Sequence, residues 1–351
     1  MSSGATNPAE RSGRDRANRD DQGDSWRPRA LIEVLRRRAT LLSAVREFFA
    51  QRQVTEVETP VLCESGAVEA HLAPVPVEVD LGRGCSDFYL VTSPELGMKR
   101  LLAAGSGPIY QITRAFRVGE RGRLHNPEFS MLEWYRPGFN LNDLMNEVES
   151  LVREVFRTAG RDLGAAPFER VSYREAFERH LGIDPLVASV ERFQSVAVER
   201  DLDVPTSLRG ATNRDAWLNF LLAVAVEGKL GGERPTLLHH YPASQAALAR
   251  VNSDDPRVAE RFELYVDGVE LSNGYHELGD AEEQRRRFEE SNEERVAQGR
   301  ERLPLSERFF SALRSGLPDC AGVAVGLDRL FLVAIGGDSI DDVMTFPIER
   351  A

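Results

Sequence analysis

The chain has 351 residues, 44 basic and 56 acidic side chains, a formal net charge of −12 and 42% hydrophobic residues, with a mean hydropathy of −0.35. This is a globular composition, long enough to bury a core without disulfides or structural metal, and it excludes a largely disordered chain. Cys63, Cys85 and Cys320 lie too far apart for a CxxC site, and no apolar run approaches the roughly 20 residues of a membrane span. An odd cysteine count suits a reducing compartment, so a cytoplasmic protein with no structural zinc and no membrane partner is expected. The acidic balance argues against a large nucleic-acid surface, whose affinity rests on Lys and Arg neutralising phosphates. Among the basic residues only Lys99 and Lys229 are lysine, a bias that codon usage accounts for.

Residues 1–28 mix Ser, Gly, Asn, Arg and Asp with almost no apolar side chains. Such a segment cannot offset the entropy of ordering and is expected to be a disordered polar tail, with residues 29–351 forming one domain. From Leu31, the residues Ile32, Leu35, Leu41, Leu42, Val45, Phe48 and Phe49 recur at helical spacing with no Gly or Pro. This long amphipathic helix leads through Val54 and Val57 into a short strand ended by Pro60. Strands follow at 87–92, 108–118 and 128–135, then a helix-rich stretch over 141–230. Further strands are expected at 236–240, 260–266 and 268–272, a helix at 281–298, and a strand followed by a helix over 321–335. Hairpin-linked strands with helices inserted in blocks predict an α+β fold on a mainly antiparallel sheet flanked by helices.

Three stretches combine residue types that suit chemistry. Along 109–135, alternation puts Gln111, Thr113, Ala115 and Arg117 on one face, and Phe129, Met131, Glu133 and Tyr135 on the corresponding face of the returning strand. An arginine, a ring, a carboxylate and a phenol on one face suit a phosphate, an adenine and an amine, although a solvated polar face has the same composition. Along 261–278, Asp267-Gly268 predicts a type I′ turn that sets Tyr265 opposite Glu270 and makes Glu263 and Glu270 neighbours. Two such carboxylates repel unless a cation separates them, and oxygen ligands suit Mg²⁺; solvated decoration is the alternative. Glu277 lies past an Asn273-Gly274 pair that can reset the register. Along 321–332, Gly322, Ala324 and Gly326 alternate on one side of a strand, leaving either a groove for a planar base or room for tight packing.

In this order, the helix and strand ending at Pro60, the FR…HNPEF stretch and GVAVGLDRL resemble motifs 1, 2 and 3 of class II aminoacyl-tRNA synthetases. TSPE, HNPEFSMLEWY and GVELSNGYHEL are similar to the lysyl branch, and the resemblance covers residues 30–351. It implies a class II catalytic domain that binds ATP and Mg²⁺ and dimerises through residues 31–60. Arg117 and Arg329 would be catalytic. Arg117, Glu120, His125, Asn126, Phe129, Glu270, Leu271, Gly326 and Arg329 would bind ATP, and Glu263 and Glu270 the metal. Ser93, Glu95, Glu133, Tyr135, Glu277 and Ala324 would bind the amino acid. Two departures matter: the acid expected two residues after Arg117 is Gly119, with Glu120 beside it, and Ala324 replaces the middle glycine of motif 3.

Lysyl-tRNA synthetases carry an anticodon-gripping domain before motif 1, where only the polar tail stands here, so no tRNA partner is expected. Ala324 and the HYPASQAALA segment are similar to truncated paralogues of the lysyl branch that act on a protein. That resemblance implies activation of (R)-β-lysine, or lysine, as an adenylate and its transfer to a lysine side chain of elongation factor P. A truncated tRNA-charging enzyme and a non-catalytic regulatory paralogue remain alternatives.

Overall fold

The computed structural model describes residues 26–82 and 84–351, so residues 1–25 of the expected tail lie outside the described residues. The amides of Arg29 and Ala30 donate to the carbonyls of Thr345 and Met344, tying the start of the expected domain to its end. The helix expected from residue 31 is α1 (Ile32–Gln51), whose periodic apolar face buries Leu41, Val45, Phe48 and Phe49. It runs into the short strand β1 (Thr55–Glu56). Next, β2 (Leu62–Cys63), β3 (Val75–Asp80) and β4 (Cys85–Leu90) form a small sheet in the order β2-β4-β3. Only the strand at 87–92 was expected here. β3 holds Pro76, which an edge strand tolerates because its outer side needs no donor.

A helix that the sequence reading lacks, α2 (Glu95–Ala103), precedes β5 (Ile109–Phe116) and β6 (Glu128–Pro137), the antiparallel pair expected around the charged loop. The helix-rich stretch resolves into α3 (Leu141–Thr158), the short strand β7 (Glu169–Ser172), α4 (Tyr173–Leu181), α5 (Val190–Glu199) and α6 (Arg214–Leu221). Asn140 opens α3 with a reciprocal capping box to Asp143. Then come β8 (Thr236–His239), β9 (Arg261–Val266), β10 (Val269–His276), α7 (Ala281–Ala297), α8 (Glu307–Gly316), β11 (Cys320–Gly326) and α9 (Leu327–Ile335).

The main sheet has eight strands in the order β1-β5-β6-β11-β10-β9-β8-β7. Only β1/β5 and β7/β8 are parallel, so the α+β class with a mainly antiparallel sheet is as expected. Period-two alternation gives the sheet two unlike faces. Leu132, Trp134, Phe262, Leu264, Val323 and Val325 pack with side chains of α1, α3 and α9 in the largest core. Each such side chain contributes about 1.5–3 kcal/mol by leaving water. A second core joins α4, α5 and α6 to Leu238 and Tyr265.

The β9–β10 turn is as the sequence predicts: Asp267 and Gly268 have φ of 52° and 72°, and the pairs Val266/Val269 and Tyr265/Glu270 face each other. The suspected break at Asn273-Gly274 is absent, because β10 continues to His276. Glycine stands there for closeness: a Cβ at Gly274 would lie 2.4 Å from the Phe262 ring.

Candidate active site

The face opposite the main core carries the polar residues in rows across the strands. One row runs Gln111, Glu133, Ala324, Asn273, Glu263 from β5 to β9, and the next runs Ile109, Tyr135, Gly322, Tyr275, Arg261. An irregularity in β10 between Glu270 and Ser272 adds a residue to one strand, so that Glu270 and Asn273 line the same cavity. That cavity, of about 370 Å³, is lined by every residue that the resemblance assigns to catalysis, ATP, metal or amino acid, while Gln111, Thr113 and Ala115 of the same strand face lie outside its lining.

At one end lie Arg117, Phe129 and Arg329. Arg117 follows β5 directly, and its amide bonds to the Pro127 carbonyl across the loop. Its guanidinium carbon stands 5.0 Å from the centre of the Phe129 ring, and its Nε is buried without a partner. The Arg117 Nη1 to Glu120 Oε1 distance is 3.6 Å. Gly119 between them has φ of 81°, a conformation a glutamate rarely adopts, and the acid of this loop sits one position on, at Glu120. Arg329 projects from the first turn of α9 and donates to the carbonyls of Leu124 and Glu270 and to Glu270 Oε2. Its Nη2 also meets His125 Nε2. Burial, and then the charge of Arg329, lower the pKa of His125, leaving the ring neutral to accept this bond.

Asn126 is buried, with its amide donating to the Glu128 carbonyl and its oxygen accepting from the Ile348 amide. Leu271 places its side chain in the main core. The space over Gly326 is open except for the Arg329 stem, whose carbons would lie 3.9 Å from an added Cβ.

The other end is a pocket of carboxylates. Glu133 accepts from the Tyr135 hydroxyl at 2.6 Å through Oε1, while its Oε2 is buried and unpartnered. Glu277 Oε1 is also buried and unpartnered, and its Oε2 lies 2.5 Å from Lys99 Nζ. The same nitrogen lies 2.6 Å from Glu95 Oε1. Burial, followed by the charges of Glu95 and Glu277, pushes the Glu133 carboxyl well up. Burial also pushes Glu277 up to about 8, against the pull of Lys99. Buried carboxylates with empty acceptor sites call for a cation. Gly322 makes room for them: a Cβ there would lie 2.3 Å from the Tyr135 ring and 2.6 Å from Glu277 Oε1. Ser93 and Ala324 complete this end of the lining.

Protein groups already contact the Glu263/Glu270 pair, for which the sequence suggests a metal. Arg261 Nη2 lies 2.6 Å from Glu263 Oε1, and the hydroxyls of Tyr241 and Tyr265 both donate to Oε2. Both Glu263 oxygens are therefore taken. Glu270 is engaged through Oε2 alone, by Arg329 at 3.3 Å. Among the described residues no group of three His, Cys, Asp or Glu forms a metal cage. One or two carboxylates beside phosphates suffice for Mg²⁺, so Glu270 fits that ion while Glu263 fits only if Arg261 yields. Burial, reinforced by Glu263 and Glu270, pushes a third carboxyl, Glu227, up to about 7.

Sequence reasoning missed Lys99, Arg261, Glu227 and Glu69. Lys99 had a signal, since it stands four residues after Glu95 and is one of two lysines. Arg261 had one also, two residues before Glu263 on the same strand face. Glu69 lines the cavity from a segment without regular structure, where no periodicity could mark it.

A family profile described as tRNA synthetases class II (D, K and N) matches residues 24–350. A protein of Proteus mirabilis named elongation factor P--(R)-beta-lysine ligase is 50% identical over 93% of this chain and 98% of its own length. Proteins of the same name from Salmonella arizonae and Salmonella dublin are each 46% identical over 93% of this chain and 98% of their own lengths.

Proposed function

From a chain that belongs to the class II tRNA synthetases of the D, K and N type, we propose an ATP-dependent ligase that activates (R)-β-lysine as its adenylate and transfers it to a lysine side chain of elongation factor P. The observation that carries this reading is the cavity itself. It joins unpartnered carboxylate oxygens of Glu133 and Glu277 to the Arg117, Phe129 and Arg329 cluster. A diamino acid offers ammonium groups to one end and a carboxylate to the other, and ATP supplies the phosphates and the planar base.

The residues divide the work by position. Glu133, Tyr135 and Glu277 receive the distal ammonium, and Glu95 with Ser93 the amine nearer the carboxylate. Phe129 stacks on adenine, with Arg329 on its other side. His125 holds Arg329, and Asn126 pins the C-terminal segment beside the loop. Glu120 stands where the loop can read the base, and Leu271 and Gly326 offer backbone to the nucleotide. In the first half-reaction a substrate carboxylate oxygen attacks the α-phosphorus and the bond to pyrophosphate breaks. Arg117, with its free Nε, stabilises the charge that grows on the α-phosphate. In the second, the deprotonated acceptor amine attacks the carbonyl carbon and the bond to AMP breaks. The ordinary lysine pKa of about 10.4 means that docking must favour loss of its proton. Mg²⁺ held by Glu270, and by Glu263 once Arg261 moves aside, would supply charge neutralisation on the phosphates.

The same reading includes a homodimer through residues 31–60, where Leu31 and Ile32 are exposed, a cytoplasmic setting and no tRNA partner. No described helix is long and apolar enough to cross a membrane. Pyrophosphate exchange tests the first half-reaction: exchange that depends on a lysine isomer is expected. Exchange absent with every isomer, or robust charging of total tRNA without transfer to elongation factor P, overturns the proposal.

A further inference from the structure

The buried cation in this pocket is part of the protein. Lys99 lies one helical turn after Glu95 on α2, which puts both side chains on one face. Its side chain is 0% exposed, and its Nζ meets Glu95 Oε1 at 2.6 Å and Glu277 Oε2 at 2.5 Å. Among the described residues no other Lys or Arg pairs with the carboxylates of Glu95, Glu133 or Glu277. Arg250 approaches Glu277 only through its backbone carbonyl. The choice of lysine is itself informative. Wherever a cation is needed this chain almost always has arginine, and its other lysine, Lys229, is exposed. A compact ammonium can meet two carboxylates with one nitrogen, whereas a guanidinium spreads its donors over a planar fork.

We propose that Lys99 is a positioning residue, a resident counterion that fixes the spacing of Glu95 and Glu277 before substrate arrives and so lets the pocket distinguish where the amines sit along a diamino acid. The inference rests on the function proposed above and deepens it. Glu95 faces the amine near the carboxylate, and Glu277 faces the distal one. Isomers of lysine differ by the position of one amine along the same carbon chain. A single nitrogen bridging both carboxylates acts as a spacer that keeps the two receiving sites in register.

Electrostatics supports the same role. Burial alone would strip Lys99 of its proton, but the charges of Glu277 and Glu95 outweigh it and hold the ammonium protonated. In return Lys99 pulls the Glu277 carboxyl down against its burial. The groups facing this centre are Glu95 on α2, Glu133 and Tyr135 on β6, Tyr275 on β10 with Glu277 just after it, Cys320 on β11, Arg250 between β8 and β9, and Glu69 between β2 and β3. The Cys320 thiol is pushed up to about 12 by burial and stays neutral.

Lys99→Met, similar in length and uncharged, tests the proposal through the pH profile of kcat/KM for each lysine isomer in pyrophosphate exchange. Without Lys99, Glu277 must ionise against Glu95 unaided, so the acid limb is expected to move up by at least about one unit. Activity about tenfold low at pH 7 recovers at higher pH, the ratio between (R)-β-lysine and α-lysine falls toward one, and the KM for ATP is unchanged. Lys99→Arg is expected not to restore the wild-type ratio. A uniform loss at every pH with the isomer ratio intact, or no change, overturns the proposal.

Wild-type protein gives a second test that needs no variant. Lysine labelled with ¹⁵N at Nζ yields only two ammonium signals, and that of Lys99 is expected to be protected from exchange and to shift when (R)-β-lysine is added. A Lys99 signal that exchanges as fast as that of Lys229, or ignores the ligand, overturns it. Wild-type protein inactive with every isomer refutes the proposed function instead. Active wild type with an unshifted variant refutes only this role of Lys99.

Discussion

Gly322→Ala adds one methyl group at the floor of the carboxylate pocket. An ordinary contact is about 3.5–4.0 Å, whereas the new Cβ would lie 2.3 Å from two carbons of the Tyr135 ring and 2.6 Å from Glu277 Oε1. Relief requires the phenol and the carboxylate to move by about 1 Å, and a displacement of that size at a binding group costs on the order of 100-fold in rate. Overpacking costs about 1–3 kcal/mol of stability, a fraction of what a fold of this length holds. Pyrophosphate exchange at varied lysine and varied ATP is the assay, with thermal unfolding alongside. The kcat/KM for the diamino acid is expected to fall about 100-fold while the KM for ATP is unchanged, because Arg117, Phe129 and Arg329 lie at the other end. Gly279→Ala is the control, since its nearest neighbour is an atom of Leu317 at 3.9 Å. Wild-type affinity for the diamino acid in a folded Gly322→Ala protein would refute the assignment of this pocket to the ammonium.

Glu133→Gln removes a carboxyl that the fold holds above its ordinary range. Protonation of this carboxyl favours the folded state, so its own contribution to stability is full at pH below its ordinary range and is lost as pH rises to the raised value. The variant is therefore expected to unfold at a higher temperature than wild type at pH 8. The gain is roughly 1–3 kcal/mol, the scale of a buried unsatisfied group, and it disappears near pH 4, while diamino acid activation is lost. Glu277, pushed up to about 8, must be ionised to receive an ammonium, so kcat/KM for the amino acid is expected to decline below pH 8 and a flat profile between pH 6 and 8 would contradict its role. Glu270→Gln should abolish adenylate formation with the fold intact by circular dichroism. Ala324→Gly widens the groove beside Glu133 and is expected to shift selectivity toward α-lysine in competition assays.

Alternation in the β5–β6 hairpin made its polar face legible, because register pairs Gln111 with Glu133 and Ala115 with Phe129 as a period of two demands. The Asp267-Gly268 turn was legible for a similar reason: few other residues tolerate its φ values. α2 was not. Its buried face includes Glu95 and Lys99, so the polarity pattern that marks an amphipathic helix is absent where the pocket is built. Asn273-Gly274 resembles a turn locally, and only the Phe262 ring packed against it explains a glycine in mid-strand. The bulge after Glu270 likewise depends on pairing with β9. Spacing brought Glu263 and Glu270 together as carboxylates that need a positive charge and suggested Mg²⁺; Arg261 on the same strand face gives Glu263 an ion-pair partner that spacing alone did not single out.

Intact-mass spectrometry of elongation factor P, incubated with this protein, ATP and each lysine isomer in turn, tests the central claim most directly. The account predicts the addition of one lysyl group to a lysine of the acceptor, dependent on ATP and greatest with (R)-β-lysine. An unmodified acceptor in the presence of active pyrophosphate exchange would contradict it.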